Sequence, residues 1–268
     1  MTTNAPMDEQ IRSAAARLGD ATLRRAPCTP VRDLIGGNVH AAYAVQRAGV
    51  ARRVAEGARI TGRKVGLTSD AVQEQLGVDQ PDFGVLLDDM AHANGAAVPI
   101  RAFLQPKVEA EIAFVLEHEL AEGDLEIEQV RAAVAYAVAA LEICDSRIAD
   151  WNISFTDTVA DNASSGAYVL GSDRRTLDEF DPRDVVMSMT VTDQEESAGT
   201  GAACMGDPLL ALQWLARKAR DLGEPLGAGQ VILSGALGPM RPVTAGALVT
   251  ASVTDLGSVS CTFTQEES

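Results

Sequence analysis

Two glutamates separated by one residue, Glu109 and Glu111, lie within the otherwise apolar segment 108–116. If this segment is a strand, alternation sends Val108, Ile112 and Phe114 to one face and both carboxylates to the other. Carboxylates this close repel each other unless a cation or hydrogen bonds compensate. The pattern therefore has two interpretations, which are a solvated strand face, the more common case, and a cation site.

A third acid favours the cation site. Glu142 follows the apolar run 138–141 and precedes Ile143 and Cys144, in a stretch that the pattern predicts to be buried. A buried carboxylate without a partner is unfavourable. The chain has only three histidines, and three carboxylates suit a hard, oxygen-preferring ion such as Mg²⁺ or Mn²⁺ better than zinc.

The elements that would position these acids are strands in a chain of mixed α and β character. The patterns predict strands at 108–116, 140–144, 166–170, 185–192, 230–234, 248–253 and 258–264. They predict helices at 7–19, 38–57, 71–76, 128–139 and 207–222. Without a repeat or a low-complexity linker, we expect an α+β fold in a single domain over 1–268. Its N-terminal helical part would span 1–60, and its strand-rich, metal-binding body would span 61–268.

Composition limits the possible partners. The net charge of −16 over 268 residues opposes nucleic-acid binding, which needs clustered cations. An anionic substrate would need a local attractive site. No apolar run approaches the roughly 20 residues of a membrane span, and residues 1–30 lack a secretory pattern. We therefore expect a cytoplasmic protein without membrane contact. The four cysteines form no C-x-x-C pair and are predicted to be free thiols.

Six blocks of the sequence, in this order, resemble those of the 2-keto-4-pentenoate (2-hydroxypenta-2,4-dienoate) hydratases. These enzymes are a branch of the fumarylacetoacetate hydrolase superfamily. The blocks are residues 62–68 (GRKVGLT), 75–84 (QLGVDQPDFG), 105–113 (QPKVEAEIA), 141–142 with 146–148 (LE and SRI), 157–164 (DTVADNAS) and 235–240 (GALGPM). No single block is diagnostic, but their shared order is hard to explain otherwise.

The resemblance implies a fold, a metal site and a reaction. It implies a mixed, rolled β-sheet body and a divalent ion, Mg²⁺ or Mn²⁺, on Glu109, Glu111 and Glu142. The expected reaction, in aromatic or steroid meta-cleavage catabolism, is that of a hydro-lyase, which converts 2-hydroxypenta-2,4-dienoate to 4-hydroxy-2-oxopentanoate. Homo-oligomers such as pentamers or decamers are also implied, as is a complex with another enzyme of the pathway.

The same resemblance assigns roles around the metal. Lys64 is the first candidate for acid/base catalysis, and we expect partial burial to lower its pKa toward a useful range. Asp82 is the second, and it could pair with Lys64 or orient water. Substrate contacts are expected from Leu67, Asn162, Ser164 and Ser234.

Three alternatives remain open at this point. The first is a 4-oxalocrotonate (2-oxo-3-hexenedioate) decarboxylase, a sister enzyme with the same metal site. The second is an acylpyruvate C–C bond hydrolase, although the matching region lacks the H-x-x-E pattern of those hydrolases. The third is a non-catalytic partner that stabilises an associated decarboxylase, which the intact Lys64 and glutamates oppose.

Overall fold

Two β-sheets form the body of the chain in the computed structural model, which describes residues 5–69, 73–74 and 77–265. The helices are α1 (Ala5–Arg24), α2 (Arg32–Ile35), α3 (Val39–Ala55), α4 (Ile127–Ala132), α5 (Phe155–Ala160) and α6 (Pro208–Asp221). The strands are β1 (Ile60–Gly66), β2 (Asp82–Leu87), β3 (Ala91–His92), β4 (Ala96–Pro99), β5 (Pro106–Leu116), β6 (Val134–Asp145), β7 (Ser165–Leu170), β8 (Val186–Val191), β9 (Ser197–Thr200), β10 (Val231–Leu233), β11 (Arg241–Pro242), β12 (Leu248–Val253) and β13 (Gly257–Thr264).

The first sheet is rolled. Its strand order is β2-β1-β10-β5-β6-β7-β3, with β11 paired to β5, and it mixes parallel and antiparallel neighbours. Only the 3₁₀ turn Asp88–Met90 separates β2 from β3 along the chain. The two strands lie at opposite ends of the sheet order, so the sheet must curve until its ends meet. The predicted α+β class with a rolled sheet is confirmed.

The second sheet, in the order β4-β13-β12-β8-β9, packs against the outer face of the roll. Alternate residues of its strands are buried, including Met187, Val249 and Val259. They share one core with Ile112 and Leu141 of the first sheet. The opposite face of the first sheet lines the interior of the roll, and its side chains do not belong to this shared core.

The N-terminal helices are tied to this body through Asp157, whose side chain is fully buried. Ser154 and Asp157 form a capping box at the start of α5. One oxygen of Asp157 accepts hydrogen bonds from the backbone nitrogens of Val31 and Arg32, both at 2.8 Å. The Arg32 guanidinium lies 2.5 Å from the other oxygen. This carboxylate therefore joins the start of α2 to the segment that leads into residues 161–165.

One predicted element is wrong. The helix expected at 128–139 ends as α4 at Ala132, and β6 begins at Val134. The alanines of this stretch favour a helix, but the chain also alternates Val134, Tyr136 and Val138. Pairing with β5 along the whole strand outweighs the weak local propensity.

The other predicted elements can be compared within the described residues. The strand predicted at 140–144 is confirmed as the second half of β6, and the remaining predicted strands each match a strand to within two residues. Of the helix predicted at 71–76, only Gln73 and Glu74 are described, and the rest lies outside the described residues. No helix in the described part of the chain could cross a bilayer.

Candidate metal and acid–base site

Two of the three predicted metal ligands face each other across the β5–β6 ladder. Glu109 pairs with Glu142, and Glu111 pairs with Ala140, so all three carboxylates project into the roll from adjacent positions. Their exposed fractions are 6% for Glu109 and 0% for Glu111 and Glu142. The interpretation of this face as solvated is therefore wrong.

These carboxylates are poorly compensated by the protein itself. The backbone nitrogen of Gly235 donates to Glu111 Oε2 at 2.7 Å. Among the described residues, Glu111 Oε1 and both oxygens of Glu142 have no hydrogen-bond partner. Native proteins rarely leave such buried atoms unsatisfied without an unseen ion or a functional reason. The donor set fits a hard divalent cation.

The proximity of the carboxylates also appears in their pKa values. Burial, and then the charge of Glu142, raises the pKa of Glu109 to about 7. Burial, Glu142 and Glu109 raise the pKa of Glu111 well above its ordinary value. A bound cation would relieve both effects, because it favours the charged carboxylates.

Lys64 joins this cluster from β1. Its Nζ lies 3.0 Å from Glu142 Oε1 as a buried ion pair, in a geometry that is not a hydrogen bond. Burial alone lowers the pKa of Lys64, but Glu142, Asp82 and Glu109, together with Cys144, more than offset it and raise that pKa well above its usual range. Our expectation of a lowered pKa is therefore wrong, because it considered burial without the summed negative charge around the ammonium.

Asp82 projects from the same face of the sheet as Lys64, and its predicted role as a partner of Lys64 stays a prediction. It is the first residue of β2, where it pairs with Gly66. A Cβ at Gly66 would collide with Asp82 Oδ1 and would lie 3.6 Å from Lys64 Nζ, so both side chains reach over this glycine. Thr158 Oγ1 donates to Asp82 Oδ2 at 3.1 Å. Burial raises the pKa of Asp82, although Lys64 opposes that effect.

The segment after α5 reaches this region through strained backbone. Asn162, Ala163 and Ser164 all have positive φ, between 52° and 55°, a region that residues other than glycine seldom adopt. The Asn162 amide holds β2 in place, since it accepts from the nitrogen of Val85 at 2.8 Å and donates to its oxygen at 2.9 Å. The Ser164 hydroxyl is buried and has no partner among the described residues. Such strain commonly marks functional sites.

Of the two remaining predicted substrate contacts, Ser234 lies beside the residue that hydrogen-bonds Glu111. The Ser234 nitrogen donates to the oxygen of Ile112 at 3.0 Å, directly before the Gly235 bond to Glu111. Leu67, with φ +57°, leads out of β1. The roles of Leu67, Asn162, Ser164 and Ser234 toward a substrate stay predictions.

Sequence reasoning missed two residues on this face. Cys144 and Lys107 are cross-strand partners on β6 and β5, each two residues from a predicted ligand. The ligand atoms of Glu109, Glu142 and Cys144 lie within 4.8 Å of one another. Lys107 Nζ lies 4.3 Å from the ring centroid of Trp151. Strand alternation would have indicated both residues, because every second position shares a face.

A cavity of about 380 Å³ lies elsewhere, beside α1, α3 and the start of β7. Arg147 and Asp161, two of its lining residues, form an ion pair at 2.5 Å. Burial raises the pKa of Asp161 to about 6 despite this pairing. The cavity does not include Lys64 or the three glutamates. The cluster and the cavity therefore indicate two different locations for the active site. The unsatisfied carboxylates are the better guide to chemistry, because a cavity alone specifies no reaction.

Comparisons with known proteins place the chain among relatives of known family. The family described as Fumarylacetoacetate (FAA) hydrolase C-terminal matches residues 53–264. A 2-keto-4-pentenoate hydratase from Burkholderia vietnamiensis is 49% identical over 259 residues, which cover 96% of this chain and 99% of that protein. A TodF product hydratase from Pseudomonas putida is also 49% identical, over 94% of this chain and 95% of its own length.

A solved structure shows the same arrangement of the chain. The 4-oxalocrotonate decarboxylase from Pseudomonas putida G7, complexed with magnesium and adipate, superposes with a TM-score of 0.91. It is 33% identical in sequence, and the match covers 96% of this chain and 98% of that one. The chain is therefore similar to hydratases in sequence and to a magnesium-bound decarboxylase in structure.

Proposed function

The chain belongs to the fumarylacetoacetate hydrolase family, and from this premise we propose that it is a metal-dependent hydratase of 2-hydroxypenta-2,4-dienoate. The observation that carries the proposal is the buried cluster of three carboxylates and one lysine within this family's fold. Sequence identity of 49% to hydratases over nearly the whole chain supports a hydro-lyase of small 2-oxo acids. The reaction adds the elements of one water molecule to the dienol and gives 4-hydroxy-2-oxopentanoate.

We assign the metal to Glu109, Glu111 and Glu142. Three carboxylates, with one hydrogen bond from Gly235 and one ion pair to Lys64, leave an excess of negative charge that a divalent ion would neutralise. A bound Mg²⁺ or Mn²⁺ supplies Lewis acidity toward the carboxylate and 2-oxygen of a 2-oxo acid. Carboxylate oxygens suit both ions, and the magnesium of the decarboxylase structure supports a hard divalent ion here.

Lys64 and Asp82 are our candidates for moving protons. The reaction removes a proton from the 2-hydroxyl, adds one at C5, and then adds water across C3 and C4. Lys64 Nζ, 3.0 Å from Glu142 Oε1, is the candidate donor, because a divalent ion on the three glutamates would offset the negative charge that raises the pKa of this lysine in the metal-free protein. Asp82, held through Oδ2 by Thr158, has Oδ1 beside Gly66 and can accept. Two groups with displaced pKa values at one site suit acid–base catalysis.

The hydroxyl of Ser164 is our first candidate for a substrate hydrogen bond. It is buried without a partner among the described residues, and the strained backbone of residues 162–164 fixes its position. Ser234, Leu67 and the backbone of Asn162 would border the same substrate. Ser164→Ala should therefore raise KM more than it lowers the affinity for metal.

Apolar side chains inside the roll favour a substrate that is uncharged at the end distant from its 1-carboxylate. Beyond the carboxylates, the interior holds a small apolar cluster of Leu86, Ala113, Val138, Ala140, Tyr168 and Leu233. A second substrate carboxylate, as in 2-oxo-3-hexenedioate, would lose its hydration against these apolar side chains. This observation favours the hydratase over the decarboxylase.

The test is direct. We would generate 2-hydroxypenta-2,4-dienoate in situ and follow its ultraviolet absorbance with chelator-treated enzyme, before and after Mg²⁺ or Mn²⁺ is restored. Metal-dependent loss of absorbance, with a product heavier by one water, supports the hydratase. Release of CO₂ from 2-oxo-3-hexenedioate without hydration would replace it with the decarboxylase, and cleavage of an acylpyruvate would replace it with the hydrolase.

We also propose a cytoplasmic homo-oligomer, such as a pentamer or decamer, able to associate with another enzyme of its pathway. The family resemblance supports this assembly. Sedimentation of the purified chain at micromolar concentration tests it, and a monomer would refute it.

A further inference from the structure

Cys144 lies among the carboxylates. It follows Glu142 by two residues on β6 and projects from the same face, opposite Lys107 of β5. Its Sγ lies 3.7 Å from Glu109 Oε1, and its side chain is buried. The hydratase mechanism proposed above gives this thiol no role.

The sulfur shares its surroundings with unsatisfied ligand atoms. One ligand atom each from Glu109, Glu142 and Cys144 lies within 4.8 Å of the other two. Both oxygens of Glu142 are buried and lack a hydrogen bond within the described part of the chain, and Lys64 Nζ lies 3.0 Å from Oε1 alone. Two carboxylates and one sulfur at this spacing form a ligand set of their own, distinct from the set of three carboxylates.

We propose that this site has a second coordination mode, in which Cys144, Glu109 and Glu142 bind a thiophilic divalent cation such as Cd²⁺ or Zn²⁺. The inference rests on the metal site of the proposed function, but it does not depend on the hydration reaction. Thiolate sulfur selects softer ions, whereas carboxylates alone suit Mg²⁺ and Mn²⁺. Binding forms a sulfur–metal bond and releases the thiol proton to solvent, without any change of oxidation state.

The two modes exclude each other, because they share Glu109 and Glu142. In the second mode Cys144 takes the place of Glu111, so the ion is held toward the Lys107 end of the strands instead of the Gly235 end. A thiophilic ion should therefore compete with Mg²⁺ and inhibit the enzyme, where a simple exchange of one hard ion for another would support turnover.

The experiment uses the full chain after chelator treatment, titrated with Cd²⁺ alone. Formation of a cadmium–thiolate bond is read from its ultraviolet charge-transfer absorbance, and affinity is read by calorimetry. We expect one equivalent of Cd²⁺ to produce the band, and we expect saturating Mn²⁺ to raise the Cd²⁺ concentration needed to reach half of it, because the two ions share Glu109 and Glu142. Cys144→Ser should abolish the band and weaken Cd²⁺ binding about tenfold or more, while Mn²⁺ affinity changes by less than about threefold.

Two matched controls separate this thiol from Cys261 and Cys28. Cys261→Ser removes a buried thiol of the second sheet, and Cys28→Ser removes the most exposed thiol. Both variants should keep the band. Cys144→Ala, checked by circular dichroism, serves if the serine variant does not fold.

Either of two results would overturn the proposal. One is a band that persists in a folded Cys144 variant, and the other is a Cd²⁺ midpoint that saturating Mn²⁺ leaves unchanged. Neither result depends on turnover. An enzyme without hydratase activity that still shows the Cys144-dependent band would refute the proposed reaction and leave this inference standing.

Discussion

Removing the charge of Glu109 should stabilise the metal-free protein. Its pKa is raised from 4.5 in a free glutamate to about 7, and each pKa unit corresponds to about 1.4 kcal/mol. The ionised side chain therefore costs the fold about 3 kcal/mol. Because the folded state holds the proton more tightly than the unfolded state, this cost is absent below pH 4.5, grows between pH 4.5 and 7, and is complete above that range.

The variant Glu109→Gln keeps the shape of the side chain and removes its charge. In urea denaturation of chelator-treated protein at about pH 8, we expect the variant to be more stable than the native chain by about 3 kcal/mol. Near pH 4.5 the difference should vanish. Saturating Mg²⁺ should reverse the order, since an ion that binds only the folded native chain stabilises it.

The control is Glu117→Gln, which removes an exposed glutamate just beyond the end of β5 and should change stability by no more than about 0.5 kcal/mol. If Glu109→Gln is less stable than the native chain at pH 8 without metal, the carboxylate is not a source of electrostatic strain. A gain in stability that does not vary with pH would refute the same reasoning, because it would come from packing.

Three other perturbations test separate parts of the structure. Lys64→Met should lower kcat by about 10²–10⁴-fold. It should also tighten Mg²⁺ binding in calorimetry, because a positive charge beside the metal site is removed. The control Lys218→Met should change neither kcat nor Mg²⁺ affinity. Asp157→Asn should lower the unfolding free energy by about 3 kcal/mol at neutral pH. The hydrogen bonds of Asp157 lower its pKa despite burial, so that loss should fade in urea melts as the pH falls below about 3.9; a constant loss contradicts the ionic account. Gly84→Ala would press a methyl group onto Asn162 O and Ser165 Oγ, and its melting temperature should fall by several degrees, whereas Gly37→Ala, in open space, should leave it unchanged.

Strand alternation was enough to predict that Glu109 and Glu111 share a face, since only local geometry is involved. The isolation of Glu142 among apolar residues also indicated a buried acid. Their union in one cluster depends on the register that places Glu109 opposite Glu142, and no local pattern encodes that register. The family resemblance predicts from sequence that these three glutamates form one site.

Other features required the three-dimensional structure. The first half of β6 was predicted as a helix, because alanine propensity is local whereas its pairing with β5 is not. The pKa of Lys64 was predicted with the wrong sign, because separate strands contribute the charges around it. Cys144 was predicted only as a free thiol, because its closeness to Glu109 follows from the sheet and from no cysteine motif.

Closure of the roll also bears on the order in which the protein folds. β5 and β6 are consecutive strands of the chain. The pairing of β3 with β7, which closes the roll, joins Ala91 to Tyr168 across a long stretch of chain. Contacts between distant residues form slowly, because a large loop must close first. Glu109 and Glu142 would thus meet early, before β1 brings Lys64 to them. On this order, the three glutamates come together before Lys64 can offset their charge. Divalent ions present during folding would reduce that repulsion and should speed closure of the roll.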